Sequence, residues 1–281
     1  MNRGISIHIG VNYVDREHYG NDVIPLDTCE QDAKEMQSIA LSQNFKSSFL
    51  LLSENATRDA VKSAIESASR ELKEGDILLV SYSGHGGFIA DISGDEEDGL
   101  DETWCLYDAQ LLDDELNQLW TLFNEGVRIF ILSDSCHSGT VAKARNEPEV
   151  DTKLFKKKLL SYEVGKNIYF ANKDFYRNLE IEVGDVDEKE IKASIKLFAA
   201  CQDPQVSYTL MLAENSIFTA KVKEVWNKGQ FVGTYEEFFE MVKEKVSSLD
   251  FLPTVQTPNL YNIGKANPKF DNMKPFGIYM T

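Results

Sequence analysis

Short runs of apolar residues alternate along the chain with stretches in which apolar positions recur three and four apart. Residues 5–11, 48–52, 76–82, 127–132 and 196–200 read as strands, and 276–280 as a weaker sixth. Residues 29–43, 57–73, 113–124, 217–226 and 235–248 read as helices. In the second of these, Ala60, Val61, Ala64, Ile65 and Ala68 form one apolar face, with Asn55 or Thr57 able to cap it. The third opens on Asp113-Asp114-Glu115, acids that suit the positive end of a helix dipole. Strands and helices taken in turn predict a mostly parallel sheet with crossover helices.

Residues 142–192 break this rhythm. They are rich in Lys, Glu, Asp and Asn, and their clearest apolar runs, 168–171 and 179–183, read as a polar hairpin. The expected organisation is a single domain over 1–281. It comprises a large segment (1–141), a polar linker or hairpin (142–193) and a smaller segment (194–281). A tail carrying Pro253, Pro258, Pro268 and Pro275 is expected to cover a sheet edge.

Composition narrows the class. No apolar run approaches the roughly 18 residues of a membrane span, and the first residues lack the pattern of a secretory signal. Four scattered cysteines favour a reducing compartment, so a cytoplasmic setting is expected. A net charge of −17 argues against nucleic acid as a partner. The charge is uneven: 74–127 holds no Lys or Arg, and Lys143, Arg145, Lys153, Lys156, Lys157 and Lys158 cluster soon after. Acidic residues beside a reactive centre suggest a cationic substrate, a metal, or both, whereas taken singly most are a solvated surface.

Two of the strands end in chemistry. Ser83-Gly84-His85-Gly86-Gly87 follows the third, and Ser133-Asp134-Ser135-Cys136-His137-Ser138-Gly139 follows the fourth. In an α/β sheet reactive groups gather beyond the carboxyl ends of the strands, so a thiol and an imidazole would stand side by side there. Cys136 is the expected nucleophile and His85 the base that later protonates the leaving amine. His137 competes for the second role, but neighbouring side chains at a strand end diverge. Gly86 lets the backbone come close, so that its N–H and that of Cys136 can receive an oxyanion. The chemistry is that of a cysteine peptidase working through a thioester.

With these residues in place, the chain resembles the caspase-fold peptidases and, within them, the metacaspases. The resemblance rests on the His85 and Cys136 motifs, on Leu26-Asp27-Thr28-Cys29-Glu30-Gln31-Asp32-Ala33, and on Cys201-Gln202-Asp203-Pro204-Gln205-Val206-Ser207. It implies a three-layer α/β/α sandwich on a mostly parallel, roughly six-stranded sheet, and a catalytic dyad without a third member. It also implies that Cys29, Asp32, Ser83 and Asp134 surround the pocket for the residue before the scissile bond. Two carboxylates there would select Arg or Lys, whereas the caspase preference for Asp needs basic residues that neither motif carries.

Calcium is a further implication. Asp91 to Glu102 has EF-hand spacing, but Glu96 replaces the turn glycine and the segment follows a strand, which rejects that motif. The resemblance points instead to Asp101, Asp113 and Asp114 as ligands, with Lys143 where a fourth acid is expected. No organic cofactor is expected. The expected partners are protein substrates with Arg or Lys at the cleavage site and an activating protease or regulator acting in trans; no membrane partner is expected. Basic residues in the linker leave self-processing open. The alternative is a caspase-fold interaction module that has lost catalysis.

Overall fold

A computed structural model of the chain describes residues 2–90, 100–136, 154–184, 187–202 and 205–279. In chain order, β1 (Gly4–Gly10) leads through a short helix α1 (Arg16–Tyr19) to α2 (Cys29–Ser42), β2 (Ser47–Leu52), α3 (Arg58–Glu71) and β3 (Ile77–Ser83). A small antiparallel sheet follows, β4 (Gly86–Ala90), β5 (Leu100–Cys105) and β6 (Gln110–Leu112), then α4 (Asp113–Thr121) and β7 (Arg128–Asp134). Next come β8 (Phe155–Lys157), α5 (Tyr162–Ala171), α6 (Lys173–Val183), β9 (Ser194–Ala199) and β10 (Tyr208–Leu210). The chain closes with α7 (Ile217–Trp226), α8 (Tyr235–Ser247), β11 (Asn259–Gly264) and a last turn of helix, α9 (Pro268–Asp271).

The main sheet has the order β11-β9-β7-β3-β1-β2 and is parallel except for β11. Its central strands are apolar on both faces because both faces are covered. In β3, Ile77 and Leu79 join the layer formed with α2, α7 and α8, whereas Leu78 and Val80 join the layer of α3 and α4. Phe130 and Ile131 of β7 divide in the same way. Two layers of helix around one mostly parallel sheet make this the three-layer α/β/α fold.

Two expectations are corrected. The run expected at 276–280 is not the sixth strand over its described residues, 276–279: Phe276 has a left-handed backbone (φ 60) and packs its ring against Trp226 (4.8 Å) and Phe130 (5.3 Å). That apolar run is a plug for the core. The sixth strand is β11, which falls within the proline-bearing tail and forms the sheet edge itself, antiparallel to β9. Its half-exposed, polar composition hid it. The polar hairpin is also absent, since 168–171 and 179–183 lie in α5 and α6. Ser161 caps α5 by accepting from Val164 N, and Gly165, Ile168 and Tyr169 form its buried face. The helical spacing of those positions outlasts the short apolar runs that suggested strands.

Candidate active site

β3 and β7 are parallel neighbours with Ser83 opposite Asp134, so the residues that follow leave the same edge of the sheet together. Cys136 and His85 are both buried there. The turn carrying His85 is fixed from below: Tyr82 Oη donates to the His85 carbonyl (2.7 Å) while its ring stacks on Trp104 (4.6 Å). Gly86 has no alternative at its position, because a Cβ there would lie 1.6 Å from the Cys136 carbonyl oxygen.

His85 Nε2 lies 2.7 Å from the carbonyl oxygen of Ile24. A carbonyl can only accept, so Nε2 carries the proton and Nδ1 keeps a free lone pair. Nδ1 is buried without a hydrogen-bond partner among the described residues. Burial, with help from the charges of Lys158 and Lys156 and against the Ile24 bond, lowers the His85 pKa to about 4. The imidazole is therefore a neutral base near pH 7. The Cys136 thiol accepts from Ser207 N at 2.8 Å.

Cys29, Asp32, Ser83 and Asp134 line one buried pocket, reached from the first turn of α2 and the ends of β3 and β7. Asp32 accepts from Ser83 Oγ (2.7 Å), Ser216 N (3.0 Å) and Asn215 Nδ2 (2.9 Å). Asp134 accepts from Thr219 Oγ1 (2.7 Å) and Ser207 Oγ (3.1 Å). Sequence reasoning did not assign Ser207, Asn215, Ser216, Thr219 or the Ile24 carbonyl to the site. Ser207 closes a motif already singled out; the others carry no signal beyond being small or polar, and a backbone carbonyl carries none. Burial raises the Asp32 pKa against the pull of Lys158, and it pushes the Cys29 thiol up to about 12, which leaves that thiol neutral.

The pocket is filled from within the chain. Lys158, fully buried, reaches Asp134 Oδ1 (3.0 Å), Asp32 Oδ2 (3.5 Å), Ser83 Oγ (2.8 Å) and the Asp134 carbonyl (2.9 Å) with its Nζ. Burial disfavours its charge, but Asp134, Cys29 and Asp32 outweigh that and raise its pKa. Its carbonyl oxygen accepts from Gly86 N (2.9 Å) and Cys136 N (3.3 Å), and its N–H donates to the Ser207 carbonyl (3.0 Å). Immediately upstream, β8 pairs antiparallel with β10. A cavity of about 260 Å³ opens beside this segment, lined by His85, Val23, Ile24, Leu159, Leu160 and Val164 among others.

Comparison with known proteins decides the family. The family model described as "Metacaspase, peptidase C14 domain" matches residues 6–145. The chain belongs to the metacaspase-like, caspase-fold family. Metacaspase-3 of Arabidopsis thaliana is 36% identical over 146 residues, covering 47% of this chain and 39% of that protein. Metacaspase-1 of Botryotinia fuckeliana is 33% identical over 147 residues, covering 47% and 33%. The match thus spans well under half the length of these curated relatives. Over nearly the whole length, the crystal structure of protein GSU0716 from Geobacter sulfurreducens is similar, with a TM-score of 0.86, 38% identity and 99% of each chain covered. Caspase-1 from Spodoptera frugiperda shares the fold at a TM-score of 0.54 and 13% identity, covering 100% of this chain and 92% of that one.

The remaining candidates of this metacaspase-like chain are more scattered. Asp101 is buried on β5, and Asp113 and Asp114 begin α4. Among the described residues no three His, Cys, Asp or Glu side chains are grouped closely enough to hold a metal ion. His137, Lys143, Arg145, Lys153 and Asp203 lie outside the described residues. All four cysteines are buried and none forms a disulfide. No described helix is long and apolar enough to cross a membrane.

Proposed function

We propose that this chain is a cysteine endopeptidase that cleaves proteins after Lys or Arg, with Cys136 as nucleophile and His85 as base. One observation carries the reading: Lys158 sets its ammonium between two buried carboxylates while its carbonyl oxygen receives the N–H groups of Gly86 and Cys136. That is how a substrate residue before a scissile bond must sit, its charge recognised and its carbonyl polarised.

In this mechanism His85 Nδ1 takes the thiol proton and Sγ attacks the carbonyl carbon of the bound Lys or Arg. The two N–H groups receive the negative oxygen. When the intermediate collapses the C–N bond breaks, and the imidazolium proton passes to the leaving amine. Water then adds to the thioester with His85 again taking the proton, which releases the carboxylate and restores the thiol. The Ile24 carbonyl holds the imidazole tautomer that these steps need. An Arg would be held by both carboxylates in a fork, and Lys as a point charge.

The chain reads as one peptidase domain, with residues 155–158 of the connection crossing the site. Four cysteines without a disulfide support a reducing, cytoplasmic setting. Calcium activation through Asp101, Asp113 and Asp114 rests on the resemblance alone.

The test is hydrolysis of fluorogenic peptides ending in Lys, Arg or Asp by the full chain and by Cys136→Ala, each with calcium and with chelator. Turnover of Lys or Arg peptides that drops on the order of 10³-fold or more in Cys136→Ala supports the reading. Selective cleavage after Asp would overturn the pocket assignment. Silence toward all three, also after the chain has been cut within 142–158, would favour the interaction module instead.

A further inference from the structure

We infer that residues 155–158 lie in the cleft as a template of the enzyme's own substrate, and that the contacts upstream of Lys158 identify two further specificity subsites. This inference rests on the reading above and extends it from one substrate residue to four. Peptidase clefts bind extended chains by adding them to a strand, with backbone bonds supplying affinity and alternate side chains supplying selection. The segment does this: Tyr208 faces Lys157, Thr209 faces Lys156 and Leu210 faces Phe155 in an antiparallel ladder.

Strand alternation sends residues two apart to the same side. Lys156 accordingly points to the side of Lys158, where its Nζ pairs with the Asp27 carboxylate and donates to the Pro25 carbonyl (2.8 Å). Asp27 is half exposed and Lys156 is largely covered, so the site is an open acidic notch at the rim, distinct from the closed pocket below. Phe155 points the other way. It is buried, stacked near Phe251 (ring centres 6.4 Å, 18°) and edge-on to Tyr208 (6.2 Å, 72°). Phe251 is itself exposed, as the outer wall of a subsite must be if its occupant comes and goes.

The preferred substrate is therefore an extended peptide of the pattern aromatic, basic, any residue, Lys or Arg. Asp27 selects the second of these and Phe251, with Tyr208, the first. Neither Asp27 nor Phe251 belongs to the catalytic pair or to the pocket under Lys158, and both are exposed enough to be replaced without unfolding the chain.

The experiment compares peptides built on Phe-Lys-Lys-Lys-Leu-Leu. In one set the first Lys is replaced by Ala or Glu, and in another the Phe by Ala. They are tested against the full chain, Asp27→Ala, Asp27→Lys and Phe251→Ala. Expected are losses in kcat/KM of about tenfold for Glu at the basic position and for Ala at the aromatic one, each loss abolished in the matching variant. Asp27→Lys should prefer the Glu peptide. Turnover that ignores both positions overturns the subsites and leaves the peptidase reading intact. Should no basic peptide be cut, fluorescently labelled peptides are titrated onto Cys136→Ala and read by anisotropy. Preference for Lys over Glu and for Phe over Ala then supports the subsites although the peptidase reading fails, and equal binding overturns them.

Discussion

Leu78, Leu79 and Val80 of β3 and Ile129, Phe130 and Ile131 of β7 are buried on both faces of the sheet. Lys156, Lys157 and Lys158 run across the top of the same two strands, one fully buried, one held at the rim and one half-buried. The floor is held by apolar area removed from water, a force that ignores direction. The segment above it is held by a short backbone ladder and by ammonium groups set against carboxylates, which depend on distance and angle. The first kind of region responds to the volume that fills it rather than to the angle of any one contact. In the second, one atom out of place leaves a buried charge unpaired.

The largest expected effect that separates the two regions is Lys158→Met. Removing the cation strands Asp32 and Asp134 in one buried pocket, and breaking a buried pair in this way costs about 3–5 kcal/mol. The loss should shrink as pH falls, because protonation of Asp32, whose pKa burial already raises, relieves it. Urea unfolding of both forms at two pH values checks this, and a cost near zero would mean that the segment merely rests on the floor. Next comes Gly86→Ala, where the added methyl meets the Cys136 carbonyl. About 3 kcal/mol of stability is expected to go, at the upper end for overpacking, together with any turnover. Thermal melts and peptide assays follow the two losses separately.

A third test concerns protons in the two regions. His8 lies inside the sheet with a pKa lowered by burial to about 3, and His85 at its edge with one lowered to about 4. In the unfolded chain both take a proton near 6.5. Between about pH 6.5 and 4 the unfolded state thus binds more protons, and stability falls with falling pH by roughly 1.4 kcal/mol per unit for each histidine. Above that window neither contributes any slope. The difference between wild type and His8→Gln isolates one such slope, because the opposing contribution of Asp32 is common to both. Finally, Lys189→Met, at a side chain 90% exposed, should change stability by no more than about 0.5 kcal/mol, although Lys158→Met costs several; denaturation midpoints of the two variants sharpen the contrast between a solvated and a buried ammonium.

The same contrast governs what could be read from the chain alone. β3 and β7 are legible because an apolar run buried on both faces has few other fates, and the glycines and polar residues after each run mark where it ends. β11 is hard to read because an edge strand is half wet and shows no apolar run, while the run beginning at 276 reads as a strand although Phe276 and Ile278 turn into the core. In α5 and α6 runs too short to display their period gave the wrong element. Cys29, Asp32, Ser83 and Asp134 were named together through the resemblance, and they do share a pocket. Lys158 was named only as part of a basic cluster. Nothing local distinguishes it from Lys157; its burial follows from the β8–β10 register, which is a property of two segments far apart in the chain.

The closed state of the cleft has a kinetic consequence. With all four thiols buried, a molecule in its native state offers no sulfur to an alkylating reagent, and labelling has to wait for an opening. Cys105 and Cys136 differ in what covers them: Cys136 lies directly beneath the Lys158 carbonyl, so its labelling rate follows departure of that segment, whereas Cys105, the last residue of β5 and buried in the small sheet's own core, waits for a wider unfolding. Mass-resolved alkylation would turn the four cysteines into clocks running at different speeds, and the gap between the first and the last would measure how independently the strand over the site can lift.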